Sequence, residues 1–271
     1  MPSPNEITVN QPSRLIGTPN APILIDVRPD DYIDDDPFLI PGATRHPFND
    51  IAAIAPKLVG QSAVLYCKKG KKLGHGTSAI LREMGVRAEV LEGGQEAWRA
   101  AGHPLLPIAA LPPRSDGRTV WVTRQRPKID RIACPWLIRR FVDPNAQFLF
   151  VPPSDVLDVA ENFNATPFDV EGVFWSHRGE NCTFDTMIDE FGLNTDPLRH
   201  VARIVRAADT DELGLEPQAA GLLAFSVGLS RMFRDDLAQL DAGMTLYDAL
   251  YRWARDGRDE AHDWSAQGGG K

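Results

Sequence analysis

Cys67 stands at the end of the apolar run Ala63-Val64-Leu65-Tyr66 and opens the loop Cys67-Lys68-Lys69-Gly70-Lys71-Lys72-Leu73-Gly74. A strand that delivers a thiol into a glycine-bearing loop, with a helix following over residues 76–84, aims backbone N–H groups and a positive helix end at one sulfur. Lys68, Lys69, Lys71 and Lys72 add four formal positive charges around it. Both effects favour the thiolate, the nucleophilic form of cysteine. The expectation is an ionised, solvent-reachable sulfur able to carry a negatively charged adduct. A lone cysteine after a strand is otherwise a small buried apolar residue; the lysines and Gly70 set this one apart.

Two further groupings lie in the second half. His177 and Cys182 are five residues apart on a polar loop containing Gly179; Asp169 precedes that loop, and Asp209 and Asp211 follow an apolar helix. Imidazole, thiolate and carboxylate together suit a divalent metal of zinc, iron or nickel type, which makes His177, Cys182 and Asp209 candidate ligands. Their spacing matches no standard zinc signature, and a core-packed Cys182 beside a hydrogen-bonding His177 is the alternative. Asp130, Arg131 and Cys134 open a helix amid Arg124, Arg126, Lys128 and Arg139. Helix N–H groups and guanidinium forks hold oxyanions. The alternative is that Asp130 caps the helix, Cys134 packs inward, and Arg139 and Arg140 are solvated.

The elements that must position these residues are legible in outline. Residues 1–10 read as a loose tail, residues 23–27 as a buried strand between Pro22 and Pro29, and the acidic residues 30–36 as a solvated loop. Residues 63–66 and 88–91 are further strands separated by the helix after the cysteine loop. Strands alternating with helices imply a parallel sheet, in which ligands lie at the carboxyl ends of strands; Cys67 is at such an end. Pro104, Pro107, Pro112 and Pro113, then Ser115-Asp116-Gly117, mark a linker. Beyond it, residues 119–123 and 148–151 read as strands and residues 130–141 as a helix with Pro135 in its first turn. Helices are expected over residues 184–191, 196–208, 217–233 and 245–255, with Trp121, Trp136, Trp175 and Trp253 in the core. The terminal Gly268-Gly269-Gly270-Lys271 reads as disordered.

In the first half, four motifs in one order resemble the rhodanese (sulfurtransferase) domain. They are Asp26-Val27-Arg28 after a strand, Ile40-Pro41-Gly42-Ala43, the Cys67-x-x-Gly70 loop, and Leu91-Glu92-Gly93-Gly94-Gln95-Glu96-Ala97-Trp98. The resemblance spans roughly residues 10–107. Two positions depart from it: the histidine often found before the Ile-Pro-Gly-Ala turn is Leu39, and the arginine common five residues after the cysteine is Lys72. Lysine keeps the charge but gives up the two-pronged anion grip. The resemblance implies an α/β fold, a parallel sheet with flanking helices. It also implies a Cys67 nucleophile, a small sulfur donor such as thiosulfate or a persulfide, and a thiol or cyanide acceptor. Sulfur transfer of this kind requires no cofactor.

The second half, about residues 118–257, resembles the C-terminal domain of the chromate-resistance ChrB family. The segments that carry this are residues 128–140 around Arg131-Ile132-Ala133-Cys134-Pro135-Trp136, Ser176-His177-Arg178-Gly179-Glu180-Asn181-Cys182-Thr183, and residues 204–211 ending Asp209-Thr210-Asp211. The resemblance links this half, read as a mostly helical α+β domain, to chromate. In full regulators of that family a different N-terminal region is thought to contact DNA, and here a rhodanese-like region stands in its place. The expected organisation is a sulfurtransferase domain over 1–110, a linker over 111–117 and a ChrB-type domain over 118–271.

Composition narrows the classes. The 271 residues carry net charge −8, with 11 basic and 12 acidic side chains in residues 1–110 and 18 and 25 in the remainder. The chain is acidic overall despite the locally basic stretch over residues 114–140, so a nucleic-acid partner is not expected. No apolar run would span a bilayer, and Met1 to Glu6 has neither the basic start nor the apolar centre of a secretory signal. Three widely spaced cysteines make no disulfide framework, and a nucleophilic thiol needs reducing surroundings, so cytoplasm is the expected location. Two functions then compete: sulfur transfer through a Cys67 persulfide, or a chromate, oxyanion or metal sensor with a catalytically weak rhodanese module. A phosphatase or arsenate reductase would need an arginine six residues after the thiol, where Leu73 stands.

Overall fold

The computed structural model describes residues 4–260. The expected glycine-rich terminus, 268–271, and the first three residues of the expected N-terminal tail lie outside them. Glu6–Ile7 (β1), Ile23–Asp26 (β2), Phe38–Leu39 (β3), Thr44–Arg45 (β4), Ser62–Tyr66 (β5) and Arg87–Leu91 (β6) are the first strands. Five of them form one parallel sheet in the order β1-β6-β5-β2-β4, with Leu65 opposite Ile25 and Val90. The early residues are therefore not a loose tail, because β1 pairs with the edge of β6.

Strands in such a sheet are covered on both faces and read as apolar runs. Leu24, Val64 and Tyr66 face one core with Trp98 and Leu106. Their neighbours Ile25, Ala63 and Leu65 face the other with Ile51, Leu58 and Leu81, and Cys67 continues this second row. Around the sheet lie Asn10–Ser13 (α1), Asp30–Asp35 (α2), Ala55–Leu58 (α3), Lys72–Glu83 (α4) and Gly94–Ala100 (α5). The acidic stretch expected as a loop is thus the helix α2, started after Pro29 with Asp30 and Asp31 in its first turn, where negative charge meets the positive helix end. It closes on Asp36, which Arg99 and Gln95 reach from α5.

Arg28 and Asp26 lock the carboxyl end of β2. The guanidinium meets both Asp26 oxygens, at 2.6 Å for the closest, and donates onward to the carbonyls of Asp36 and Phe38. Both side chains are wholly buried. A buried pair with its hydrogen bonds filled is costly to break from one side, by about 3–5 kcal/mol.

The second half is built on Leu106–Pro107 (β7), Arg114–Ser115 (β8), Arg118–Arg124 (β9), Gln147–Val151 (β10) and Thr166–Pro167 (β11). β7 pairs back with β3, and β8 forms a hairpin with β9, so the expected linker is partly strand. β10 and β11 flank β9 in parallel. The helices are Asp130–Leu137 (α6), Val156–Asn162 (α7), Thr183–Glu190 (α8), Asp196–Asp209 (α9), Ala219–Met232 (α10) and Asp236–Asp256 (α11). The expected 130–141 helix is present but changes pitch part-way. Pro135 lies inside α6 rather than in its first turn, where it withholds the N–H that would meet the Arg131 carbonyl, and the chain widens into a π-type turn at Ile138–Val142. α11 begins well before the expected residue 245, because Asp235 caps it by accepting the Ala238 N–H. Trp121 and Trp136 are wholly buried and Trp175 nearly so, as expected of core residues.

One apolar cluster runs through both halves, taking in Ile16 and Ile40 with Phe141 and Tyr251. Gly17, at φ +81°, is where they touch: a Cβ there would stand 2.3 Å from Phe141 Cζ and 2.7 Å from Tyr251 Cε1. The Gly42 N–H also donates to the Phe141 carbonyl. Among the described residues no helix is long and apolar enough to cross a membrane.

Candidate functional site

Cys67 follows β5, the middle strand of the sheet, at its carboxyl end. Its loop does not stand free. The Cys67 and Lys68 carbonyls accept the N–H groups of Gln95 and Glu96 at the start of α5, each at 3.0 Å. Gly70 and Gly94 make this approach sterically feasible. A Cβ on Gly94 would lie 2.2 Å from the Cys67 carbonyl, and one on Gly70 would lie 2.3 Å from the Leu91 carbonyl; both have positive φ. The cysteine loop and the double-glycine turn are therefore one interlocked structure.

The sulfur faces the first turn of α4, 3.8 Å from where a Gly74 Cβ would stand. Lys69, Lys71 and Lys72 are exposed and Lys68 half-buried, with its ammonium 5.5 Å from the centre of the Tyr32 ring. None of the four pairs with a carboxylate among the described residues, so their charge is free for an anion. The expectation of an open sulfur is corrected in one respect: the Cys67 side chain is only 5 % exposed and packs with Leu73 among the apolar residues of its face. Cys134 and Cys182 retain no exposure at all.

The second constellation is assembled from four separate elements. His177 Nε2 lies 3.6 Å from Asp130 Oδ2, 3.3 Å from Asp169 Oδ1 and 3.4 Å from Asp209 Oδ2. Asp130 is the first residue of α6, and Asp209 is the last of α9. Asp169 follows β11 at φ +52°. Thr183, at the start of α8, ties the carboxylates together: its N–H donates to Asp130 Oδ2 at 2.7 Å and its hydroxyl to Asp169 Oδ1 at 3.0 Å. Arg124 and Arg131 both bind Asp169 Oδ2, at 2.9 and 3.2 Å.

Asp130 is aimed by backbone held against its preference. Ile129, β-branched, sits at φ +44° and ψ −100°, with its N–H fixed by Ser226 Oγ and its carbonyl by the Tyr247 hydroxyl. The charges diverge accordingly. Burial, then the Asp209 and Asp169 charges, push the Asp130 carboxyl well above the usual carboxylate range. Burial also raises Asp169, but hydrogen bonds from His177 and Arg124 and the arginine charges outweigh it and leave Asp169 below that range. His177 is raised, first by its hydrogen bond to Asp169 and, against the effect of burial, by the surrounding carboxylates.

Of the metal ligands expected from sequence, His177 and Asp209 converge, joined by Asp130 in place of Cys182. Cys182 instead caps α8, its N–H and sulfur both meeting Asp185. The expected oxyanion cradle of Asp130, Arg131 and Cys134 does not form. Arg131 is engaged by Asp169 and by the Arg124 and Gln125 carbonyls, Cys134 is sealed in the core, and the space before Asp130 is ringed by carboxylates that repel an anion. Burial, then Asp130 and Asp169, hold the Cys134 thiol far above its ordinary range. Thr183, Arg124 and the strained Ile129 carry no sequence signal, since their roles exist only once four elements meet.

A cysteine at the end of the middle strand of a parallel sheet, locked to a double-glycine turn, defines a rhodanese-like domain, and residues 8–101 match the rhodanese-like domain family. Residues 121–254 match the family described as ChrB, C-terminal domain. The chain therefore carries a rhodanese-like domain followed by a ChrB C-terminal domain. It is 35 % identical over 142 residues to Protein ChrB of Cupriavidus metallidurans, a match covering 52 % of this chain and 42 % of that one. The chain thus spans well under two thirds of that relative's length. Among solved structures, it is similar to a rhodanese-related protein from Thermoplasma volcanium, at 17 % identity over 38 % of this chain and 97 % of that one, with a TM-score of 0.33. It is also similar to a rhodanese-like domain protein from Staphylococcus aureus, at 22 % identity over 35 % and 90 % with a TM-score of 0.31.

Proposed function

We propose that the rhodanese-like domain transfers sulfane sulfur through a persulfide on Cys67. The observation that carries this reading is the setting of that sulfur: it ends the middle strand, faces the start of α4, and is the one thiol of three with any exposure. The Cys67 thiolate attacks the outer sulfur of thiosulfate, forming Cys67–S–S⁻ and releasing sulfite with the electron pair of the broken S–S bond. Cyanide or an acceptor thiolate then attacks the outer sulfur and leaves Cys67 as thiolate. Loop N–H groups stabilise the anionic persulfide, and Lys68, Lys69, Lys71 and Lys72 draw in an anionic donor. Lys72, where the family commonly has arginine, holds that donor by charge rather than by a planar fork, which predicts a weak grip on thiosulfate.

The test is thiocyanate formation from thiosulfate and cyanide by the full chain, expected for the native protein and absent in Cys67→Ser. Intact-mass measurement after thiosulfate treatment should show an adduct of roughly 32 Da, one sulfur, that cyanide removes. No adduct and no thiocyanate would leave the second reading, in which the rhodanese-like domain is catalytically weak and the ChrB C-terminal domain senses chromate or a metal. The convergence of His177, Asp130 and Asp209 is the feature that favours that alternative.

A further inference from the structure

The ChrB C-terminal domain holds its own cluster of donor atoms, independent of Cys67 chemistry. One atom each from Asp130, His177 and Asp209 can be chosen so that all lie within 4.8 Å of one another. Metal bonds of about 2.1 Å place neighbouring ligands of a tetrahedral ion about 3.4 Å apart. The His177 Nε2 separations of 3.4 Å to Asp209 and 3.6 Å to Asp130 fall on that spacing. They are long for hydrogen bonds, which for N–H···O peak near 2.9 Å. A single imidazole N–H also cannot serve three carboxylates at once. The geometry is that of donors arranged around a common point.

The hydrogen-bond inventory leaves the same gap. Asp130 is 1 % exposed; its Oδ2 accepts the Thr183 N–H, while its Oδ1 is buried with no partner. A buried carboxylate left in this condition is costly. The arginines do not relieve it, because Arg124 and Arg131 are both spent on Asp169. Asp130 and Asp209 pair with no cationic side chain but His177 among the described residues. Thr183 and the backbone of Ile129 hold Asp130 in place, as outer partners commonly hold a metal ligand.

We propose that Asp130, His177 and Asp209 bind a divalent transition-metal cation, with Asp169 and Thr183 positioning the ligands. The imidazole selects a first-row transition ion over magnesium or calcium. His177 is 41 % exposed and Asp209 20 %, so the ion faces solvent on one side and keeps a coordination position open for water or a small ligand. That is the plan of a reactive or sensing centre rather than a closed structural one.

Cobalt(II) is the probe: chelator-treated full-length protein is titrated with it, followed by d–d absorption, and the metal retained after gel filtration is counted by mass spectrometry. One ion per chain and a raised melting temperature are expected. Asp130→Asn, Asp209→Asn and His177→Gln should each weaken binding at least about 10-fold, and Asp169→Asn by about 10–100-fold as an outer partner. Cys67→Ser should bind as the native chain does, which separates this site from the thiol. Should Asp130→Asn fail to fold, Asp209→Asn decides, since that side chain is partly exposed. Absence of retained cobalt in the native chain would overturn the proposal, as would equal binding by folded Asp209→Asn and His177→Gln; the cluster would then be an imidazolium held among carboxylates.

Discussion

Cys67, Cys134 and Cys182 bring the same thiol to three surroundings, and the surroundings decide what each can do. Cys134 and Cys182 are sealed, and burial with the nearby carboxylates, Asp130 first among them, holds both as protonated thiols. Cys67 stands on a loop with four lysines and keeps 5 % of its surface exposed. Alkylation needs both thiolate and access. Native protein treated with iodoacetamide is expected to take one label, at Cys67, and three after denaturation, with peptide mass spectrometry locating them. Native-state labelling of Cys134 or Cys182 would contradict the packing described. The arginine and carboxylate positions separate in the same way: Arg131, attractive as an anion fork in the sequence, is consumed by Asp169.

Between elements, the informative contact is the one joining the cysteine loop to the double-glycine turn. Gly94→Ala forces a Cβ against the Cys67 carbonyl at a positive φ, and overpacking of this kind costs about 1–3 kcal/mol. The expected result is a lower denaturation midpoint together with reduced thiocyanate formation, because the shifted carbonyl is that of Cys67, the proposed nucleophile. Full activity and stability in Gly94→Ala would show that the loop does not depend on the turn. α10 shows why helix faces in this half resist reading from sequence. Its buried side carries Ser226 and Ser230, which hold the Ile129 N–H and the Arg126 guanidinium, while Phe225 and Met232 are turned to solvent. Apolar residues thus stand on both sides of α10, with Leu222 buried and Phe225 exposed, and no single apolar stripe marks the buried face.

For the whole molecule, the two halves share one apolar cluster across the Gly17 contact. A shared core predicts a single cooperative unfolding transition. Gly17→Val should lower its midpoint or split it, with about 2–4 °C lost per kcal/mol in a chain of this size. Gly221→Ala, in α10 with open space around it, is the control and should be neutral or slightly stabilising. Differential scanning calorimetry of both variants checks this, and an unchanged Gly17→Val would mean the halves do not lean on each other there.

The first half was legible because its signals are local. Apolar strand runs, Cys67-x-x-Gly70 and Gly93-Gly94 each occupy a few consecutive residues whose chemistry follows from backbone rules, and together they define the parallel sheet and the place of Cys67. How much of Cys67 meets solvent was not contained in them, since burial depends on what packs over the loop. In the second half, His177 and Asp209 stood out by type, but their partner could not be told from spacing. Asp130 replaced Cys182 because α6, the residue 169 turn, α8 and α9 converge there, and a cluster of carboxylates distant in sequence comes into being only when tertiary packing has brought their side chains to one point.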